Sequence, residues 1–390
     1  MKTYQLSVDK IGYWLVLLFA LASNMSTAVA SCAIFGALPF ITYKHFRGIE
    51  YTRFQKHIMV AMFILFVAFL STTPFSYNTA ESLNRLVGDV TRFIPFFMAL
   101  CFIKHRKQAL LAGVLMGISI LVADAVSVWQ KMQGAEYATG FDHNHIFFAN
   151  QLMPMIIMGI SLYFSEKSGT KTKWFFGLMA LASVGILLLN GSRGVWLALV
   201  AVLLLYVILE RKRQPKVLPM VGIMIVLSLL LLYFVPELKY RMVTIFDTHY
   251  GNNTERVLMI KSAWRIFLDY PIFGVGLDQF HHFYSDTSLY LSPLAKEPGH
   301  ASPHNNFMTY LAQTGTVGFS AFCSLFFITL KELYKRYKQH YQEWSLIGFF
   351  VVIGFLLGGL TDHTFIMINV LRLVWFIVGL GVVCYPDEEV

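Results

Sequence analysis

Charged residues are scarce in this chain of 390 residues. Asp, Glu, Lys and Arg together make up 14% of it, whereas hydrophobic residues make up 56% and the mean hydropathy is +0.59. Water-soluble domains carry about 25% charged residues. An ordinary globular protein is therefore excluded, and a polytopic membrane protein is predicted.

Cysteine and metal-binding patterns are also sparse. There is no CxxC spacing and no Asp-x-Asp pair that would hold a metal, so neither a metal nor another cofactor is expected. Each cysteine falls in an apolar run and is interpreted as a small buried residue. The four cysteines are Cys32, Cys101, Cys323 and Cys384.

One short stretch invites a metal interpretation. Asp142, His143 and His145 lie close together in sequence, but a zinc site needs three or four converging ligands. The stretch is interpreted as an outward polar rim. The alternative is contact with a substrate through His143, Asn144 or Asn150.

Apolar runs dominate what is present. A hydrocarbon core takes roughly 20 apolar residues per helix, which predicts an all-α fold with about 12 transmembrane helices in a single domain over residues 1–390. The apolar run near the N-terminus continues to Thr42, which favours an uncleaved helical hairpin. The predicted spans are residues 10–24, 26–43, 57–72, 86–103, 108–128, 147–164, 174–190, 194–209, 217–234, 307–330, 345–361 and 365–384.

The net charge of +9 is explained by topology. Most basic residues cluster after every second predicted span, so the positive-inside bias places these connectors and both termini in the cytoplasm. Nucleic acid binding is therefore not expected. The basic clusters occupy residues 44–56, 104–107, 167–173, 211–216 and 331–338.

Charged residues occur at two unusual places, within the fourth predicted span and in the turn before the eighth. Asp89 and Arg92 lie three residues apart within the fourth span, where they either neutralise each other or line a substrate cavity. Arg193 lies in the tight outward turn Asn190-Gly191-Ser192-Arg193-Gly194. Because this arginine runs against the charge bias, a functional role is favoured over a lipid anchor.

A long outward loop is predicted over residues 235–306, with short helices and nearly balanced charge. Asn252 and Glu255 resemble a helix N-cap and its reciprocal carboxylate, which would place Arg256 in the first turn, where the helix dipole favours an anion. Arg265 lies about half a turn away at the helical period and ranks lower. Pro271 ends the helix. Its apolar stripe is predicted at Val257, Ile260, Trp264 and Phe267 or Leu268, which would lie along the bilayer surface.

The loop leads through Pro303-His304-Asn305-Asn306 into the tenth span. This position places His304 at the outer mouth of the bundle, where it can accept a proton from a hydroxyl. A neighbour of a helix cap that bonds only to backbone remains the alternative. Asn305 is a secondary candidate.

These motifs, in this order and on one side of the membrane, resemble the bacterial O-antigen ligase and polymerase superfamily. They are the Ser192-Arg193-Gly194 turn, the block beginning NNTERVLMIKSAWRIF, and the HNNFMTYLAQTG block, in which His304 precedes Gly315 by a spacing similar to the ligase signature. The specific motifs cover residues 190–194 and 252–318.

The resemblance implies an inverting, metal-independent glycosyltransferase. Its donor would be a glycan on undecaprenyl diphosphate and its acceptor the lipid A core oligosaccharide, at the periplasmic face of the inner membrane, with membrane lipids around it and no obligate protein partner. Arg193 and Arg256 match arginines implicated in holding the diphosphate, and His304 matches the essential histidine. Possible secondary residues are Asp89, Arg92, His143, Asn144, Arg265 and Asn305.

Two other functions remain open at this point. An O-antigen polymerase would use the same donor with a second lipid-linked glycan as acceptor, and the spacing from His304 to Gly315 favours the ligase. A transporter with twelve spans would contain an internal repeat. No repeat is visible, because the long loop after the ninth span has no counterpart after the third.

Overall fold

A computed structural model describes residues 2–244, 247, 251–286, 289–295, 302–383 and 385. The described chain is helical, without a β-strand in these ranges. The α-helices are α1 Lys2–Ala22, α2 Thr27–Phe46, α3 Arg53–Thr72, α4 Thr79–Thr91, α5 Ile94–Phe102, α6 Arg106–Met132, α7 His145–Phe164, α8 Thr170–Asn190, α9 Arg193–Glu210, α10 Val217–Phe234, α11 Pro236–Val243, α12 Gly251–Asp269, α13 Asn306–His340, α14 Glu343–Gly358 and α15 Ile368–Val382.

The all-helical membrane architecture is confirmed, whereas the count of about 12 spans is not. Seven helices within the described ranges are long and apolar enough to cross a bilayer, and three more are apolar but shorter. The seven are α2, α3, α6, α7, α8, α9 and α13. The shorter three lie in α10, α14 and α15.

The fourth predicted span, residues 86–103, is not one helix. It is broken between Thr91 and Ile94, so that α4 and α5 are separate. Pro95 lies at the start of α5, where its missing N–H is tolerated, but it would interrupt a continuous helix. The pair Asp89 and Arg92 therefore lies at the end of a short helix.

The centre of the bundle is α7, which packs against α8, α14 and α15 and is buried along almost its whole length. By contrast, α2 lies at the periphery and exposes much of its surface. The sequence predicts that all four cysteines are buried, and the position of α2 explains why this is wrong for Cys32, which is exposed. Cys101 is buried and Cys323 is half-buried. Cys384 lies outside the described residues.

The basic connectors meet at one end of the bundle. Lys44 in the last turn of α2 pairs with Asp9 at 2.5 Å, and Arg106 at the start of α6 pairs with Glu343 at 2.5 Å. Arg336 near the end of α13 donates to the carbonyl of Val383. Some of the basic side chains therefore join connectors from distant parts of the chain through ion pairs and hydrogen bonds.

At the opposite end, α12 and the residues after it form a second small core. It contains Met259, Ala263 and Ile266 of α12, with Phe280 and Tyr284 from the following segment, and it packs on α13. The predicted stripe is a different face, since Val257 and Trp264 are exposed. Thus α12 has one apolar face on the protein and another directed outward.

The segment after α12 is joined to α13 by backbone hydrogen bonds. The amides of Thr316 and Val317 donate to the carbonyls of Pro271 and Ile272, and the amide of Gly276 donates to Gln313. Helix α13 breaks at Gly315, which has φ +58°. A β-carbon there would lie 2.4 Å from the carbonyl carbon of Ile272, so glycine is required for this close approach.

Candidate active site

Asp362 lies between two of the residues selected from the sequence. One oxygen, Oδ1, is 3.1 Å from Nη2 of Arg256 and 3.6 Å from Nδ1 of His304. The first distance is a charged hydrogen bond; the second is an ion-pair distance, too long for a hydrogen bond. The Asp362 side chain is 5% exposed, whereas those of Arg256 and His304 are 28% and 30% exposed. The carboxylate is therefore buried beneath two accessible groups.

The asparagines after His304 hold the connector that carries Asp362. The side chain of Asn305 caps α13 through the amide of Met308 and donates to the carbonyl of Leu360 at 2.8 Å. Asn306 donates through its backbone to Gly359 at 2.7 Å and through its side chain to Thr364 at 2.8 Å. Asn305 is therefore a cap and a tether for this connector.

The backbone at His304 orients its side chain. With φ +50°, it is one of three non-glycine residues with positive φ in the described chain. Such a conformation is uncommon, although histidine adopts it more readily than most residues. It reverses the chain immediately before the cap of α13. The ring of His304 thereby lies beside Asp362.

Arg193 meets the same helix as Arg256. Its Nη1 donates to the backbone and side-chain oxygens of Thr244 at 2.8 and 3.0 Å, and its Nη2 donates to Asn253 Oδ1 at 3.3 Å. Asn253 and Arg256 are three residues apart on α12 and therefore neighbours on its surface. The two arginines selected from the sequence thus approach one face of α12.

The predicted start of α12 needs correction. The helix begins at Gly251, one residue before the predicted cap Asn252, so that Arg256 lies in its second turn. The helix dipole acts mainly within the first turn, so it contributes less to an anion at Arg256 than expected. The predicted end is confirmed, since α12 stops at Asp269, before Pro271.

Close packing joins the arginine turn to the Asp362 connector. A β-carbon on Gly194 would lie 2.1 Å from Oγ1 of Thr361, which is closer than any side chain tolerates. Gly191 ends α8 with φ +79°, and Asn190 donates to the carbonyls of Ala138 and His145. The turn between α8 and α9 is therefore fixed from both sides.

His363 lies directly below the site. It is buried, and neither ring nitrogen has a hydrogen-bond partner among the described residues. Burial lowers the pKa of His363 well below its usual range, and the charges of Arg85, Arg92 and His304 act in the same direction. A neutral His363 leaves the charge of Asp362 to Arg256 and His304.

Asp89 and Arg92 form a separate, buried cluster. Asp89 Oδ1 lies 2.7 Å from Nη1 of Arg92 and 3.2 Å from Nε of Arg85. Asp89 and Arg92 are buried, and the Arg85 side chain is 14% exposed. Arg92 also donates to the carbonyl of Phe365 at 2.6 Å. The interpretation as a structural pair is favoured, and Arg85 extends it to a triad. Asp89 also lies at the wall of a lateral apolar cavity.

The remaining sequence candidates lie outside this group. Arg265 is exposed on α12, and no ion pair or hydrogen bond joins it to Arg193, Arg256 or His304 in the described chain. Asn144 caps α7 by accepting from the amide of Ile146 at 2.8 Å. His143 is exposed beside this cap. A role of these three residues in substrate binding remains a prediction.

Other residues of the rim were missed by the sequence. Arg241 of α11 lies over the ring of Tyr137 at 4.8 Å, and that ring stacks on His145 at 4.1 Å. His145 is close enough to interact electrostatically with Arg241, Arg256 and Asp362. In the sequence, Asp362 and His363 form a polar pair in the last predicted outward turn, which either lines the cavity or is only local, and no pattern connects Asp362 with His304.

The chemistry of the site follows from this arrangement. Two guanidinium groups on one helix face can hold the oxygens of an anion, and a histidine beside a buried carboxylate can accept a proton. His304 and Asp362 are too few ligands for a metal centre. The single set of three converging His, Cys, Asp or Glu side chains in the described ranges lies elsewhere, at Glu81, His281 and His282.

The helical bundle and this site define a polytopic membrane protein in which two arginines, a histidine and a buried carboxylate lie at one end. Residues 178–323 match the sequence model of the O-antigen ligase family. This match supports membership of the chain in the O-antigen ligase superfamily, and the resemblance is confirmed. The matched segment runs from α8 into α13 and includes Arg193, Arg256 and His304. No curated protein matches the chain.

The family match implies a glycan-transferring enzyme of the O-antigen ligase and polymerase class, acting on a polysaccharide or lipid-linked glycan. The family match does not extend to Asp362, which follows its last residue. The structure adds this carboxylate to the group of residues that the motifs indicated.

Proposed function

We propose that the protein is an O-antigen ligase that transfers a glycan from undecaprenyl diphosphate to the lipid A core oligosaccharide. The reaction would take place at the periplasmic face of the bacterial inner membrane, with both termini in the cytoplasm and residues 235–306 forming a periplasmic loop. The observation that carries the proposal is the position of Asp362 between Arg256 and His304.

The donor already contains a good leaving group, so the enzyme must mainly stabilise charge. As the bond between the anomeric carbon and the diphosphate oxygen breaks, negative charge develops on the diphosphate. Arg193 and Arg256 bind this group. A planar guanidinium can hold two phosphate oxygens at once, and two such groups stabilise the charge without a metal.

The acceptor hydroxyl needs a base. His304 takes its proton while the oxygen forms the new bond to the anomeric carbon from the face opposite the diphosphate, which inverts the configuration. Asp362 stabilises the imidazolium that results. Because Arg256 already contacts this carboxylate, binding of a diphosphate to Arg256 would weaken that contact and make more of the Asp362 charge available to His304.

A lateral cavity offers a place for the lipid chain of the donor. It has a volume of about 540 Å³ between α2, α3, α4 and α5, and apolar side chains dominate its walls. Phe365 lies at one end of this cavity, and its backbone amide donates to Asn306, two residues after His304. An isoprenoid segment in the cavity would therefore lie close to the diphosphate site.

The test uses His304→Ala, Arg193→Ala and Arg256→Ala in a ligase assay on purified lipids. We expect turnover to fall about 10²–10⁴-fold for the histidine and about 10²–10³-fold for each arginine. Lys261→Ala is the matched control, because Lys261 is an exposed cation on the same helix as Arg256. Near-normal turnover in a correctly inserted site variant would contradict the assignment.

The same assay separates ligase from polymerase. Donor with lipid A core should give a glycan attached to the core. Donor alone should not be converted into a lipid-linked glycan of greater length. Chain extension from donor alone would identify a polymerase, and solute flux without glycan transfer would identify a transporter.

A further inference from the structure

Three ligand-type side chains from distant parts of the sequence converge away from the candidate active site. Glu81 lies in the first turn of α4, and His281 and His282 follow α12. Nε2 of His282 is 3.1 Å from one carboxylate oxygen of Glu81, and Nε2 of His281 is 3.9 Å from the other. One donor atom from each residue lies within 4.8 Å of the other two.

These distances are close to those of a bound ion. A zinc ion with bonds of about 2.0–2.2 Å holds tetrahedral donor atoms about 3.3–3.5 Å apart. The contact between His282 and Glu81, at 3.1 Å, is slightly shorter than this spacing. His281 is farther, at 3.9 Å from the other carboxylate oxygen, and rotation of this surface side chain brings it closer.

The donor types select a class of ion. Two imidazoles and a carboxylate suit zinc and similar divalent transition metals, whereas calcium and magnesium prefer oxygen ligands. All three side chains are partly exposed, between 21% and 35%, so an ion has access and water can complete its coordination.

The surrounding contacts hold the two segments in register. The amide of Tyr77 donates to the carbonyl of Val275, and Ser82 Oγ donates to that of Leu277 at 2.7 Å. Gln279 donates to the carboxylate of Glu81 at 3.0 Å. Partners that orient a ligand in this way are typical of metal sites.

We propose that Glu81, His281 and His282 bind one divalent transition-metal ion, with zinc as the probe. This ion fastens the segment after α12 to the start of α4. The proposal does not rest on the proposed glycan transfer, because its three ligands are not among the residues assigned to that reaction.

The test measures zinc binding by the purified full-length protein. The protein is stripped with a chelator, equilibrated with zinc in excess magnesium, and its bound zinc is titrated. The parent protein should bind one zinc per chain. Glu81→Gln, His281→Ala and His282→Ala should each bind zinc at least tenfold more weakly. Loss of a residue that only hydrogen-bonds to a metal ligand already weakens metal binding by about tenfold or more.

His340→Ala is the matched control, because His340 is an exposed histidine at the other end of the bundle. It should bind zinc like the parent. Zinc should also raise the melting temperature of the parent and of this control but not of the three ligand variants. Equal affinity in all variants, or no binding of one equivalent by the parent, would overturn the proposal and leave an adventitious ion only.

Discussion

The protein contains two clusters in which a buried aspartate contacts arginine, and the two clusters differ in exposure. In the first, Asp89 is enclosed by Arg85 and Arg92, whose side chains are only 14% and 5% exposed. In the second, Asp362 is buried, but Arg256 and His304 above it are about 30% exposed. A sealed cluster has its charges satisfied internally, whereas the second can still accept a ligand.

Burial therefore separates structural from functional charges where residue type does not. Breaking a sealed pair leaves a charge that water cannot reach, and this costs stability. Removing a charge from the open cluster leaves partners that solvent can reach, so we expect this change to lower turnover and not stability. The following predictions test this distinction, beginning with the largest expected effect.

Asp89→Asn should destabilise the protein most. It leaves the buried guanidinium group of Arg92 and the largely enclosed one of Arg85 without their carboxylate, at a cost of about 3–5 kcal/mol. Thermal unfolding of the detergent-solubilised protein measures the change. A variant as stable as the parent would show that the cluster is hydrated and not sealed.

Asp362→Asn makes the same chemical change in the open cluster and should have the opposite result. Turnover should fall by about 10²-fold, because the imidazolium of His304 loses its counter-charge, while the melting temperature stays close to that of the parent. Turnover is measured with saturating donor and acceptor. A large loss of stability with little loss of turnover per folded molecule would contradict the comparison.

Gly194→Ala should reduce activity through the connector. The new methyl group would lie 2.1 Å from Oγ1 of Thr361, and overpacking of this kind costs about 1–3 kcal/mol. The displacement of Thr361 moves the adjacent Asp362, so turnover should fall by about tenfold. Gly222→Ala is the control, since no atom lies within 4 Å of the added carbon there. Equal effects of both variants would exclude this contact as the cause.

Met59→Trp should have the smallest effect, on donor binding alone. Met59 lines the lateral cavity, and the indole would fill part of it. The KM for the lipid donor should rise by about threefold to tenfold, and kcat should not change. This rise corresponds to losing the burial of roughly one or two methylene groups of the lipid chain. Val60→Trp places the same group on the exposed neighbouring surface. An equal rise in KM for both variants would argue against a lipid chain in the cavity.

Much of the fold could be predicted because membrane spans have a strong compositional signal. Each predicted span overlaps a helix of the structure. The fourth predicted span is the exception, because it corresponds to two helices separated near Pro95 and not to one continuous helix. Apolar periodicity alone did not reveal this break; the sequence signals for it were the polar residues Asp89, Thr91 and Arg92 before it and Pro95 after it.

The site was predictable only in part. Arg193, Arg256 and His304 were selected by their positions, and the structure brings them to one end of the bundle. Their connection through Asp362 and Asn253 depends on contacts between segments far apart in sequence, which composition and spacing do not encode. The exposed stripe of α12 illustrates the same limit: the sequence predicted an apolar stripe at Val257 and Trp264, but the protein packs on Met259 and Ala263.

The place of Asp362 in the chain also has a consequence during biosynthesis. The chain emerges from the ribosome in order, and its earlier segments fold first. Arg193, Arg256 and His304 are synthesised before the connector between α14 and α15. Until this connector is in place, His304 lacks its carboxylate, and the tethers from Asn305 and Asn306 have no connector to hold. The nascent protein therefore completes the candidate site only after α14 has been synthesised.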